Sequence, residues 1–382
     1  MTGVARVSLV LLAGCLPVGC GGKTSGGPGD AGREAGPLPT DPCVAAGTCP
    51  PGVWIDVTPP GMASVTRPSA NEFGPGSIAR DPARPSDIFV GGSSAGLWKS
   101  SDYGNTWALV NDTLPDVARG AVIAVAGTTP ATIWAAGYNT IFKSVNGGQT
   151  FTESEVDVSL YSLSVDPNDA THLISGLHEE DGIVESVDGG ATWRMVGGAG
   201  FPTGGVSWYP FFIDTGSAAT TRRTWFAIAQ NGASAITTKD QGATWSIPKG
   251  LAGLQHPHGN AQIFQSGRML FAAGLEGPEG QGVYRSADLG ATWSLVDGGE
   301  RPQAVVWGTS KNVYAMYAWA CSNCDLGTNF ERAPLPGTDW APAAVPSALV
   351  IGPNGVVVTS DGARNIFVGL MWDQGLWRYI EP

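Results

Sequence analysis

Five copies of one eight-residue pattern run through this 382-residue chain. The pattern is Ser/Thr-x-Asp/Asn-x-Gly-x-Thr-Trp/Phe, and its copies begin at Ser100, Ser144, Ser186, Thr238 and Ser286. Those starts lie 44, 42, 52 and 48 residues apart. A sequence that resembles itself at such a period reuses one supersecondary unit, most simply as a propeller with one blade per repeat. No other feature limits the possible folds so sharply.

Each residue type has a physical reason to recur. Asp102, Asn146, Asp188, Asp240 and Asp288 can accept hydrogen bonds from the backbone N–H groups that follow them, which fixes a tight turn. The Gly two positions on supplies a positive φ that a Cβ would penalise. Thr restarts a strand, and the aromatic residue behind it brings a large apolar plate to bury between sheets. Short apolar runs such as Leu97-Trp98-Lys99 and Val283-Tyr284-Arg285 precede the pattern, so it reads as a hairpin corner. This corner resembles the Asp-box, or BNR, repeat of sialidases, xyloglucan-degrading glycosidases and sortilin-type receptors. The resemblance implies that the five Asp/Asn residues are structural and lie on the face away from any active site.

Seven innermost strands can be picked out, from Ser77-Ile78-Ala79 to Ala348-Leu349-Val350-Ile351, and seven second strands, from Ile88-Phe89-Val90 to Ile366-Phe367-Val368. Fourth strands follow the five corners, and a sixth is expected near Trp340 after a degenerate connection. The seventh is missing at the C-terminus, whereas Val53-Trp54-Ile55-Asp56-Val57 looks like a fourth strand without a blade. The expected fold is therefore all-β. It is a single seven-bladed β-propeller with Asp-box turns, and the strand near Trp54 completes the last blade and removes a free sheet edge.

The N-terminus reads as an address. Arg6 and the apolar Val7 to Ala13 are too short to span a bilayer. Leu12-Ala13-Gly14-Cys15 resembles the bacterial lipobox, in which the Cys is acylated, and Pro17-Val18-Gly19-Cys20 is a poorer second match. Cysteine parity favours Cys20, because cleavage there leaves the even set Cys43, Cys49, Cys321 and Cys324. The expected segments are a signal peptide over 1–19, a disordered Gly/Pro-rich tether over 20–51 and the propeller over 52–382. Cys43 with Cys49 suits a small disulfide loop, and Cys321 with Cys324 a loop-pinning disulfide.

Net charge −12 argues against nucleic-acid binding and against electrostatic attachment to anionic lipid. With the corners on one face, the second-to-third and blade-to-blade loops share the other, where propeller ligands usually sit. That face gathers Glu179, Glu276 and Asp373 as candidate catalytic acids, and Tyr138, His178, Trp208, His256, His258 and Trp372 as candidate ligand contacts. Carboxylates beside aromatic plates suit carbohydrate, although acids at loop tips are ordinarily just solvated. His256-Pro257-His258 offers two imidazoles but no complete ligand set, so neither metal nor cofactor is expected.

Neither enzyme chemistry of the similar families is matched. The stretch Val65-Thr66-Arg67-Pro68 lacks the Phe/Tyr-Arg-Ile-Pro pattern of sialidases. The catalytic Asp of the xyloglucan-degrading enzymes falls near Ser93, which is not an acid. The expectation is a monomeric, envelope-anchored, non-catalytic module that binds a glycan or an envelope protein and touches the membrane only through its lipid. The alternatives are a glycoside hydrolase of sialidase or xyloglucanase type, and an assembly scaffold for envelope proteins.

Overall fold

The structure, a computed structural model, describes residues 39–63, 77–92, 96–112, 114, 122–137, 139–256, 262–298, 303–318, 328–350, 352–371 and 374–382. They build seven small antiparallel sheets, each meandering outward from an innermost strand. Blade one is typical: Ser77–Arg80, Ile88–Gly92, Gly96–Ser100 and Ala108–Asn111 pair in that order. Blades two to six follow over 122–155, 164–196, 209–246, 263–297 and 303–342. The fold is a seven-bladed β-propeller.

Blade seven is assembled from both ends of the described chain. Its strands Pro353–Ser360, Asn365–Met371 and Gly375–Ile380 are completed by Trp54–Asp56, with Trp54 opposite Tyr379 and Asp56 opposite Trp377. The innermost strand starts later than the apolar run Ala348 to Ile351 implies. Pro353 and Gly355 lie inside the strand at a register shift. A bulge is where a sheet tolerates such residues. Blade four is the exception in width, with a three-stranded sheet. Its fourth strand is reduced to a bridge between Thr237 and Ser246, because Pro248 just beyond has no N–H to continue the ladder.

The core is divided by seam. Each apolar cluster joins neighbouring blades, as where Phe89 and Leu97 of blade one meet Ile123, Ile133 and Phe142 of blade two. The aromatic seam between blades six and seven packs Trp307, Tyr314 and Phe330 against Phe367, Tyr379 and Trp54. No helix among the described residues is long and apolar enough to cross a membrane.

All five repeated corners carry one hydrogen-bond scheme. The first-position hydroxyl donates to the Asp or Asn side chain at 2.7–2.8 Å and accepts from the Gly N–H at 2.8–3.0 Å. That side chain also accepts from the Thr N–H at 2.8–3.0 Å. The Gly is left-handed in every copy, as expected, and so is the residue before it. Tyr103, Gln241 and Leu289 therefore adopt φ near +60° without being glycine. The N–H at this position donates to the first hairpin of the same blade, to Ser86, Ala131, Thr171, Arg223 or Arg268, which offsets the strain. Blade six keeps a remnant: the Trp340 indole N–H donates to the Gly337 carbonyl, as Trp293 does to Gly290.

The tether expected up to residue 51 ends earlier, because residues from Pro39 onward are docked on the propeller. Asp41 caps the short helix Pro42–Ala46 by accepting from the Cys43 N–H at 3.0 Å, and its other oxygen pairs with Arg378. Cys43 and Cys49 form a disulfide, as their spacing implied. Arg378 Nη1 donates to Cys43 Sγ at 2.9 Å, its Nε donates to the Tyr103 carbonyl at 3.0 Å, and the Tyr103 hydroxyl donates to the Pro39 carbonyl at 2.7 Å. The Gly/Pro composition concealed a clasp whose partners lie at the far end of the chain. Cys15, Cys20, Cys321 and Cys324 lie outside the described residues.

Candidate functional site

The repeated corners and the first-to-second hairpins occupy one face, and the second-to-third and blade-to-blade loops occupy the other. On the loop face, blades three to five bring together four rings at the axial end of their inner strands. Tyr161 and Tyr209 are 5.1 Å apart between ring centroids, Tyr209 and His256 4.8 Å, and Tyr161 and His178 5.3 Å. His256 is fully buried, with Nε2 2.7 Å from the Ser207 carbonyl oxygen. The Ser207 hydroxyl accepts from the Glu179 N–H at 3.0 Å, which ties the blade-three loop to blade four.

Below this mouth lies a cavity of about 280 Å³ on the axis, lined by Tyr209, Phe211, Ser162, Ser164 and Gln262 among others. Its serines are already engaged: Ser162 donates to the Trp208 carbonyl at 2.9 Å and Ser164 to the Pro210 carbonyl at 2.7 Å. Gln262 of blade five reaches past blade six and bonds both the N–H and C=O of Val356 in blade seven. Blades five and seven are therefore joined by a side-chain bridge past the inner edge of blade six. Burial, then the neighbouring Tyr161, pushes the Tyr209 hydroxyl well above the ordinary phenol range. A neutral phenol of that kind orients a ligand through hydrogen bonds and does not act as a base near neutral pH.

Of the expected contacts, His178 is part-exposed at the mouth. Trp208 is no platform: it is fully buried in the seam between blades three and four, and its indole N–H donates to Asp181 and to the Gly205 carbonyl. His256 is likewise interior and is no surface histidine. No group of three or more His, Cys, Asp or Glu among the described residues is placed to hold a metal ion. Glu179 and Glu276 are exposed and have left-handed backbones, one in a blade-three loop and one at the irregular end of the blade-five strand Met269–Gly277, with blade four between them. Tyr138, His258, Trp372 and Asp373 lie outside the described residues.

Two ionisable groupings escaped the sequence reading. His172 is buried, with Nδ1 3.1 Å from Asp166 and Nε2 2.8 Å from Glu185, which also pairs with Arg194. This network ties strands within blade three and is structural. Near the loop face, Asp297 of blade five meets Tyr317 and Glu331 of blade six. The signal for it was faint: Glu331 stands across from Ala315 and Asp297 across from Val283, acids at alternating positions that otherwise face a core. Burial first, then the neighbouring Asp297, pushes the Glu331 carboxyl up to about 7.

Solved structures share the fold. The GH74 xyloglucanase from Xanthomonas campestris matches with a TM-score of 0.63 at 16% identity, over 85% of this chain and 53% of that one. A GH74 enzyme from Niastella koreensis matches with a TM-score of 0.58 at 18% identity, over 81% of this chain and 53% of that one. This chain thus spans about half the length of either enzyme. A structure of YCF48 bound to D1 peptide matches with a TM-score of 0.53 at 13% identity, over 86% of this chain and 97% of that one. No family profile and no curated protein sequence matches the chain. At these identities the likeness establishes the propeller and nothing finer.

Proposed function

We propose that this chain is a binding propeller of the Asp-box kind, held at a bacterial cell envelope by an acylated Cys15 or Cys20. Its loop face takes up a segment of another protein or a glycan. The observation that carries this reading is one of extent. Over 86% of its length the chain matches a propeller solved with a bound peptide. The placement of the exposed acids Glu179 and Glu276 supports it, since they stand on blades three and five with blade four between them. Seven rigid blades hold the loops around the mouth before the ligand arrives, which lowers the ordering cost of binding.

The test is a glycan and peptide array probed with protein that starts at Pro39, so that the clasp is kept. Binding that is lost in His178→Ala and Tyr161→Phe, with melting temperature unchanged, supports the loop-face mouth. Binding indifferent to every loop-face change removes it.

A second reading, glycoside hydrolysis, is favoured by the higher TM-score to the GH74 enzymes. Incubation with xyloglucan and sialosides, read by mass spectrometry, decides between them. Sugar release abolished by Glu179→Gln, Glu276→Gln or Asp373→Asn would replace binding with catalysis. A third reading, a scaffold that helps assemble envelope proteins, rests on the same resemblance to YCF48 and predicts that peptides alone are bound.

A further inference from the structure

Two seams are closed at the rim by the chain that leaves one blade and crosses to the next. Ala199, beyond the last strand of blade three, donates its N–H to the Ala243 carbonyl at 3.1 Å and accepts from the Trp245 N–H at 2.8 Å. Lys249, beyond blade four, does the same with Ala291 at 3.3 Å and Trp293 at 2.8 Å. Each is a one-residue parallel bridge to a repeated corner. A left-handed glycine follows in both, Gly200 and Gly250, and a Cβ there would fall 2.3 and 2.1 Å from the Trp245 and Trp293 carbonyl oxygens. The next residue, Phe201 or Leu251, then packs with that Trp.

The seam between blades two and three lacks this crossing. The chain over 156–163 contains no glycine, and Val156 donates its N–H back to Asn139 of blade two at 2.8 Å. Among the described residues, no hydrogen bond of this kind reaches the Ala191 carbonyl or the Trp193 N–H, the counterparts of the paired groups at the next two corners. At blade two the Gln149 carbonyl, the same position in the repeat, is met by the Asn111 side-chain amide at 3.1 Å. Trp193 is only part-buried, whereas Trp245 and Trp293 are buried. In place of a crossing chain lies a groove of about 390 Å³, lined from blade three by Val184, Ala191, Trp193 and the half-exposed Met195, and from blade two by Glu155 and Asp157.

We propose that this groove is a second binding site, which takes an extended, basic segment of another protein by completing the missing bridge. The segment reads x-Gly-apolar, as the chain itself does at Ala199-Gly200-Phe201 and Lys249-Gly250-Leu251. Residue x donates its N–H to the Ala191 carbonyl and accepts from the Trp193 N–H, so main-chain pairing sets the register. The glycine passes the Trp193 carbonyl where a Cβ would clash, and the apolar side chain covers the Trp193 ring and Met195. The charged side chains that line the groove, Glu155 and Asp157, are both exposed acids. Lys or Arg beside the motif is therefore favoured, and an acidic segment is repelled. The site lies on outermost strands and is independent of what the loop face binds.

The probe is an acetylated, amidated peptide, Lys-Lys-Ala-Gly-Phe-Lys, titrated into the full chain labelled at its methionine methyl groups. The Met195 methyl resonance should shift, with a dissociation constant below about 1 mM. Replacing the peptide's glycine by alanine should weaken binding about tenfold or more, since the left-handed backbone and the close carbonyl both penalise a Cβ. Glu155→Lys together with Asp157→Lys should also weaken it about tenfold or more, and both positions are exposed enough to change with the fold kept. A Met195 methyl that never moves, or equal affinity for the glycine and alanine peptides, overturns the rim site. So does binding that survives the double charge change and is lost in His178→Ala, which would place the peptide at the loop-face mouth.

Discussion

Asp41 and Arg378 stand 337 positions apart in the chain and meet as a buried ion pair. Burial lowers the Arg378 guanidinium to about 10 from its ordinary 12.5. Asp41, the two cysteine sulfurs and the Tyr103 carbonyl are arranged around this cation. Removing one partner of a buried pair strands the other, at about 3–5 kcal/mol. Asp41→Asn and Arg378→Met should each lower the melting temperature clearly, and so should a chain that begins at Gly52. Thermal melts of the three proteins check this, and an unchanged melt in all of them would make the clasp ornamental.

Ring closure rests on Trp54, which is 2% exposed and sits 5.1 Å from Tyr379 between ring centroids. A large aromatic truncated in a packed seam costs about 3–5 kcal/mol. Trp54→Ala should therefore destabilise the whole ring in chemical denaturation. Exchange protection should be lost first at the strand Gly375–Ile380, which would regain a free edge.

Asp288 predicts the acid behaviour. Hydrogen bonds from the Thr292 N–H at 2.9 Å, the Thr292 hydroxyl at 2.7 Å and the Ser286 hydroxyl outweigh burial and hold its carboxyl at about 2. A lowered carboxyl contributes stability above its ordinary value of 3.8 that disappears as pH falls through about 2. Acid unfolding followed by circular dichroism should begin at higher pH in Thr292→Val, which removes one of the donors. An unchanged midpoint would mean that the corner does not sense the charge.

Gly147 and Gly148 are neighbours in the second corner, both left-handed, and their surroundings differ. A Cβ on Gly147 meets nothing within 4 Å, whereas one on Gly148 falls 2.5 Å from Leu97 Cδ2 of blade one. Gly147→Ala should cost only the left-handed penalty, about 1–2 kcal/mol. Gly148→Ala should cost clearly more, because the seam must shift as well. Equal losses in denaturant titrations would contradict this packing.

The repeat announced the ring because each corner is a local event: Ser, Asp, Gly and Thr satisfy one another within eight residues. Closure was legible for the same reason, since Trp54 lies in an orphan copy of a strand seen five times elsewhere. The clasp was not, because Asp41 and Arg378 acquire meaning only across the whole chain. Asp297 and Glu331 were hidden similarly, as each looks like a solvated acid until two blades face each other. Trp208 erred the other way. Its position in a blade-to-blade loop implied a ligand platform, and the neighbouring blade took up both its ring and its N–H.

The Tyr103 hydroxyl meets the Pro39 carbonyl at the corner of blade one, so the chain enters the propeller from the corner side. The third strand of blade seven, Gly375–Ile380, runs toward that same side, so either end of the described chain can immobilise the protein in a binding assay without passing over the loops.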